Sequence, residues 1–176
     1  TANFCYGSPE LGLISGIAAG EMAGYYDFAT WGRGASSDAR LLDAQFGFEV
    51  FMNSLLPALG GVNLIHDAGR VDFGKSGCLE ALVMADEIID ACRRVMRGIT
   101  VDEEHLAFEA IKDVGVGGSF LSSRHTLKHF EKELWQPHLC SRLDYQTWNR
   151  RENRDLSRRV YGKAEKILEE HQCRKM

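Results

Sequence analysis

Three short polar stretches hold the side chains with the most chemical potential. Tyr6-Gly7-Ser8-Pro9-Glu10 brings a hydroxyl and a carboxylate. Arg33 to Asp38 brings a guanidinium, the hydroxyls of Ser36 and Ser37, and a second carboxylate, all beside a predicted helix start. Free backbone N–H groups at such a start can hold an anion. Asn63 to Gly69 places His66 and Asp67 directly after an apolar run. A histidine there can donate, accept or carry charge. Along an extended strand, Asn63 and Ile65 share one face while Leu64 and His66 share the other. Each stretch also has a plainer reading. Ser8, Pro9 and Glu10 are the residues a helix start favours on capping and dipole grounds. The glycine turn before Asp38 can simply precede a cap, and His66 can be a satisfied structural residue.

Familiar catalytic signatures are missing. Gly32 to Asp38 lacks the three spaced glycines of a dinucleotide fingerprint and the Gly-Lys-Ser/Thr of a phosphate loop. The sequence has no nucleophile elbow, no HExxH and no zinc-finger spacing. His125 and His129 stand four apart on a predicted helix, a spacing that can chelate a metal. Arg124 and Lys128 flank them and no nearby acid or thiol completes a set, so no metal site is expected. The aromatic-rich Glu131–Trp135, Tyr145 and Trp148 read as packing. Motifs alone identify no catalytic residue.

The elements that must position these groups alternate between strand and helix. Strands are expected over Asn3–Tyr6, Asp27–Gly32 and Val62–Ile65. A small-residue helix is expected from Ser8 to about Tyr25, with Gly12, Gly16 and Gly20 forming a stripe that admits another backbone. A second helix carries Leu41, Gln45, Phe48, Met52, Leu55 and Leu59 on one face and ends at Gly60-Gly61. After a loop, Leu79–Met96 is helical, with Leu82, Val83, Ile89, Cys92 and Met96 on one side. Thr100 and Glu103 form a capping-box pattern before a helix marked by Leu106, Ala110, Ile111 and Val114. Helical patterns recur over Ser123–Trp135, Leu143–Arg150 and Asp155–Glu170. The alternation predicts an α/β fold with parallel strands and crossover helices. Sites in such folds form at the C-terminal strand ends, which would gather the three polar stretches on one rim. Three parallel strands, buried on both faces, need further partners.

Composition sets the outer bounds. With 176 residues, 44% hydrophobic and 26% charged, the chain suits one globular domain. A net charge of -4 disfavours a non-specific nucleic-acid binder. No apolar run is long enough for a membrane helix. Five scattered cysteines without a CxxC pair suggest reduced thiols in a cytoplasmic protein. The opening on Thr1, without Met or a signal-peptide pattern, suggests a chain that begins inside a larger protein.

The same residues carry a family resemblance. Tyr6-Gly-Ser-Pro-Glu10, then Ser37-Asp38 with Asp43-Ala-Gln45 and Glu49, then Gly61-Val-Asn-Leu-Ile-His66-Asp-Ala-Gly69 resemble the C-terminal portion of the trimethylamine methyltransferase family. Asp86-Glu-Ile-Ile89, Val114-Gly-Val-Gly-Gly118, Phe120-Leu121, His125-Thr126, Trp135, Arg142 and Trp148 follow in order. No single piece is diagnostic; the ordered set is specific.

The resemblance implies a (β/α)8 TIM-type barrel, with residues 1–98 as barrel strands and helices and 99–176 as a helical extension within one domain. It implies methyl transfer from trimethylamine, or from a quaternary amine such as glycine betaine, to the cobalt corrinoid of a separate protein, as in methylamine metabolism and methanogenesis. The corrinoid would not be bound directly by this chain. Some members carry pyrrolysine; this sequence has none, which shifts the expectation toward the quaternary-amine group. Reduced cobalt is a strong nucleophile, so the cofactor carries the hard step and the protein mainly orients a cation. Glu10, Arg33, Asp38, Asn63 and His66 are the expected pocket residues. An acidic or aromatic rim would hold the cation, and Arg33, His66 or backbone N–H groups would take a substrate carboxylate where the substrate has one. Two rivals stand beside this reading. One is a non-catalytic assembly module of the same fold. The other is an unrelated small α/β enzyme, for which no nucleophile–base set is present. Unpartnered sheet edges suggest that the isolated chain forms homo-oligomers.

Overall fold

A computed structural model of the chain describes residues 5–152 and 155–172. It is mostly helical, with a few short strands. The chain divides into two compact units: residues up to Met96 together with those from Pro137 onward, and Arg97–Gln136.

The larger unit opens on a turn in which Ser8 N–H donates to the Cys5 carbonyl at 3.1 Å. Of the expected first strand, Asn3 and Phe4 lie outside the described residues, while Cys5 and Tyr6 lie in or beside this turn and form no strand. Helix α1 (Pro9–Leu11) has Ser8 as its cap and Pro9 at its first position, as expected. It runs on through a π-helical stretch, Gly12–Ala18, into α2 (Ala19–Tyr25). The glycine stripe does admit another backbone. A side chain at Gly16 would crowd the Pro57 backbone, and one at Gly20 would strike the Gly60 carbonyl.

Strand β1 (Trp31–Arg33) starts later than expected because Asp27 adopts a left-handed φ of 57° and Phe28 N–H bonds back to Ala23 at 2.8 Å. It pairs in parallel with β2 (Leu64–His66), Arg33 opposite His66. Between them runs α3 (Ala44–Leu59), capped by the Asp43 carboxylate, which accepts from Gln45 N–H and Phe46 N–H.

The buried face of α3 is not the expected one. Phe46, Glu49, Val50, Asn53, Ser54 and Pro57 face inward, while Leu41, Phe48 and Leu59 are exposed, Phe48 at 65%. The physical reason is polar burial. Glu49, Asn53 and Ser54 all have hydrogen-bond partners inside, so the inward stripe is not the apolar one.

The stretch after β2, expected as a loop, contains a small antiparallel hairpin, β3 (Arg70–Val71) and β4 (Ser76–Gly77). Its tip places Asp72, Phe73 and Gly74 at φ 50°, 58° and 72°. Helix α4 (Leu79–Met96) has the expected span. Its inward side carries the small Ala81, Ala85 and Cys92, whereas Leu82 and Met96 are exposed. Ala35, Ala39, Phe46, Val50, Ala81 and Ala85 form the core, flanked by Leu42, Val71, Met84, Ile88 and Ile89. Small residues on α4 let Phe46 and Val50 of α3 come close, each burial contributing roughly 1.5–3 kcal/mol.

In the smaller unit, α5 (Glu103–Leu106) is capped by Asp102, which accepts from His105 N–H at 2.8 Å, and not by Thr100. Ala107, at φ 54°, separates it from α6 (Phe108–Val114), so the single expected helix is two. Gly115 ends α6 at φ 69°, and α7 (Arg124–Glu133) follows.

Beyond Pro137, in the larger unit again, come α8 (Tyr145–Asn149) and α9 (Leu156–Glu170), the latter capped by Asp155. Val160 and Ala164 are the buried residues of α9, which packs on α4. The Glu87 carboxylate on α4 accepts from the N–H groups of His138, Leu139 and Cys140 at 2.7–2.9 Å, and Arg159 holds the Leu139 carbonyl at 2.7 Å. Among the described residues, no helix is long and apolar enough to cross a membrane.

Candidate functional site

Because β1 and β2 are parallel, Arg33 and His66 end on the same rim, and Gly34 N–H donates across to the His66 carbonyl at 3.0 Å. Asp67, next in the chain at φ 76°, is the hub of that rim. Its Oδ2 accepts from Arg33 Nε at 2.9 Å, and its Oδ1 lies 3.0 Å from His66 Nδ1 and 3.1 Å from Arg70 Nε. The Arg33 guanidinium also stacks 3.5 Å over the Tyr6 ring. Burial pushes the Asp67 carboxyl up, but hydrogen bonds and charge from His66 and Arg33 outweigh it and hold the group below its ordinary range. Arg33 and His66 are thus engaged in a hub that ties the Tyr6 turn, β1, β2 and β3 together.

Beside the hub, a second network shapes an acidic recess. Gly7 N–H donates to Asp38 Oδ2 at 2.8 Å. Glu49 Oε2 accepts from Ser37 Oγ at 2.6 Å and Asp38 N–H at 2.8 Å, while Oε1 accepts from Gln45 Nε2 at 2.8 Å. Asn53 Nδ2 bridges the carbonyls of Tyr6 and Ser36 at 3.1 and 3.2 Å. A Cβ at position 7 would land on the Glu49 carboxyl and displace it from its hydrogen bonds. This packing seats the Tyr6 turn against Ser36–Asp38, as the convergence of polar stretches requires.

A cavity of about 620 Å³ opens here, lined by Asp38, Asp43, Gln45, Phe48, Glu49 and Phe73, among others. Arg40 also lines it and is held by Asp72 at 2.9 Å. Asp38 is 8% exposed, and its Oδ1 is buried without a hydrogen-bond partner. Carboxylates and aromatic rings around one space suit a cation.

The expected site residues are therefore dispersed over the rim and beyond it. Asp38 lines the cavity, and Arg33 and His66 build the neighbouring hub. Glu10 is exposed on the first turn of α1 and does not line the cavity. Asn63 sits at the opposite end of β2, where its Oδ1 accepts from Thr30 N–H at 2.8 Å and Thr30 Oγ1 at 3.1 Å. It clamps the strand beginnings together. Glu49, Gln45 and Phe73 were not among the expected site residues. The Gln45/Glu49 spacing of four on a helix was a usable signal; Phe73, on an unforeseen hairpin tip, had none.

In the smaller unit, His125 and His129 stack with ring centroids 4.4 Å apart, and His105 lies 4.8 Å from His129. Their ring nitrogens meet Asp102, the Glu104 carbonyl and the Glu104 carboxylate, which also pairs with Lys128. These contacts lower the Asp102 carboxyl, first through the His105 backbone N–H, and the Glu104 carboxyl, first through Lys128. Among the described residues, no group of three or more His, Cys, Asp or Glu could hold a metal ion.

Comparison with known proteins places this geometry in a lineage. Residues 2–176 match the family model described as trimethylamine methyltransferase (MTTB). Trimethylamine methyltransferase MttB of Methanosarcina barkeri (strain Fusaro / DSM 804) is 38% identical over 166 residues, covering 94% of this chain and 33% of that protein. The Methanosarcina thermophila protein of the same name is 37% identical over 168 residues, covering 96% and 34%. Glycine betaine methyltransferase of Desulfitobacterium hafniense (strain Y51) is 34% identical over 163 residues, covering 92% and 34%. The chain thus spans about a third of the length of these relatives, and it belongs to the trimethylamine methyltransferase family.

Proposed function

We propose that the full-length protein moves a methyl group from a methylated amine to the cobalt corrinoid of a separate protein, and that this chain supplies part of the amine-binding rim of a (β/α)8 barrel. The observation that carries the reading is the Asp38 carboxylate, buried with a free oxygen beside a cavity of acids and aromatic rings. Membership of a family whose relatives are named trimethylamine and glycine betaine methyltransferases supports the same reaction class. The parallel pair β1–β2, with polar groups gathered at its C-terminal end, suits a barrel rim.

The chain's residues then bind and orient. Asp38 attracts the ammonium charge, Glu49 fixes Asp38 through its backbone N–H, and Phe48 and Phe73 cover the methyl groups. The Asp67 hub holds the neighbouring wall in place. The reduced corrinoid of the separate protein would supply the nucleophile for the methyl group, and the amine nitrogen would keep the bonding pair and leave neutral. No proton need be added to that leaving group.

The test is cobalt methylation, followed by absorbance, with full-length protein, a reduced corrinoid protein and a series of amines. Methylation with at least one methylated amine is expected, and Asp38→Ala should lower kcat/KM by roughly 10- to 100-fold, the worth of one charged contact. An active enzyme indifferent to Asp38→Ala would remove the cavity from the mechanism.

A further inference from the structure

Helix α7 in the smaller unit is built inside out. His125 and His129, four residues apart, turn toward His105 and Glu104 of α5, and the His129 side chain is only 13% exposed. Leu127, Phe130 and, just past the helix end, Leu134 take the opposite side at steps of three and four, the spacing of an apolar stripe. All three are exposed, Leu127 at 62%. Helix α6 repeats the pattern: Ala110 and Val114 are half-buried, whereas Ile111 and Phe108, the latter at 68%, are exposed. No residue of Arg97–Gln136 is buried. Imidazoles and charged groups join the unit inside, and its apolar side chains face out. A unit this small rarely builds a core of its own, and contiguous apolar surface of this kind marks an interaction face.

We propose that Arg97–Gln136 docks by these apolar faces on the part of the full-length protein that lies outside this chain. The chain spans about a third of the length of its relatives, so most of a full-length member is available to cover them. Two other occupants fit the chemistry less well. The corrinoid protein of the proposed reaction must come and go, and surfaces that serve transient partners are no more apolar than the rest of a protein. A second copy can supply an obligate apolar interface. A unit without a buried residue needs its cover in order to fold, however, and a covalently attached cover is present at an effective concentration that no second copy matches. This docking draws on family membership and is independent of the amine site.

Photo-cross-linking of the full-length protein tests this, with benzoylphenylalanine in place of Phe130 and isotope-labelled and unlabelled copies mixed. After irradiation, mass spectrometry identifies the joined peptides. The expected product links position 130 to a peptide from outside residues 1–176, within one copy. A link between labelled and unlabelled copies would give the face to a second copy. A link that forms only when the corrinoid protein is added would give it to that partner. A link to residues 1–96 or 137–176 would show that the chain covers itself. Each of these overturns the proposal, and so does the absence of any link. Hydroxyl-radical footprinting of the unaltered full-length protein decides the matter if the substituted protein fails to fold. Phe108, Leu127 and Phe130 should lose their oxidation at every dilution and without the corrinoid protein; oxidation at the rate of freely exposed side chains would overturn the docking.

Discussion

Asp67 gathers Arg33, His66 and Arg70 around one carboxylate, and its lowered pKa makes that hub a source of pH-dependent stability. A carboxyl held below its ordinary value of 3.8 contributes fully above that value and loses its contribution as pH falls through the folded value beneath it. Asp67→Asn should therefore cost about 2 kcal/mol at neutral pH, allowing for the exposure of Arg70. The gap to the unaltered protein should shrink below pH 3.8. Urea midpoints of both proteins across that range check the sign; a gap that grows on acidification would contradict it. At this scale the sequence was half legible. Asp38 and the Arg33–His66 rim could be read because strand ends in parallel sheets gather polar groups. Asn63 could not be placed, because β2 starts at Leu64, two residues later than expected, which leaves Asn63 before the strand and against Thr30. Glu49 was hidden because a buried acid breaks the apolar stripe from which a helix face is read.

Helices show the same division. The starts of α1 and α9 and the full span of α4 follow from caps and periodicity. The inward face of α3 does not, because three of its buried residues are polar and are satisfied by partners distant in sequence, by Gln45 one turn away or by the helix backbone. The glycine stripe was legible as a close-packing surface, and it gives a paired prediction. Gly20→Val drives side-chain carbon into the Gly60 carbonyl and should cost roughly 1–3 kcal/mol. Gly24→Ala, with nothing within 4 Å of the added carbon, should be neutral or stabilising by up to about 1 kcal/mol. Thermal melts of the two variants compare them directly, and equal effects would deny the close approach. On α4, Glu87→Ala strips three backbone N–H groups of their acceptor and should destabilise the protein by about 3 kcal/mol. Faster amide exchange at 138–140 would locate the loss; unchanged exchange there would show that Glu87 is not what protects these N–H groups.

For the whole molecule, an α/β fragment was legible from the alternation of strand and helix, and the family from an ordered series of short matches. The hairpin at 70–77 was not, because its two-residue strands carry no periodicity. Its tip places Phe73 on the cavity. The central claim is that the recess beside Asp38 receives a methylated ammonium ion. The most direct measurement is the binding of isotope-labelled trimethylammonium to full-length protein, followed by its methyl resonance, in the unaltered protein and in Asp38→Ala. Saturable binding that weakens at least roughly tenfold on the substitution is expected, with the folded state unchanged. Saturable binding of equal strength in both proteins would place the amine elsewhere and contradict the account.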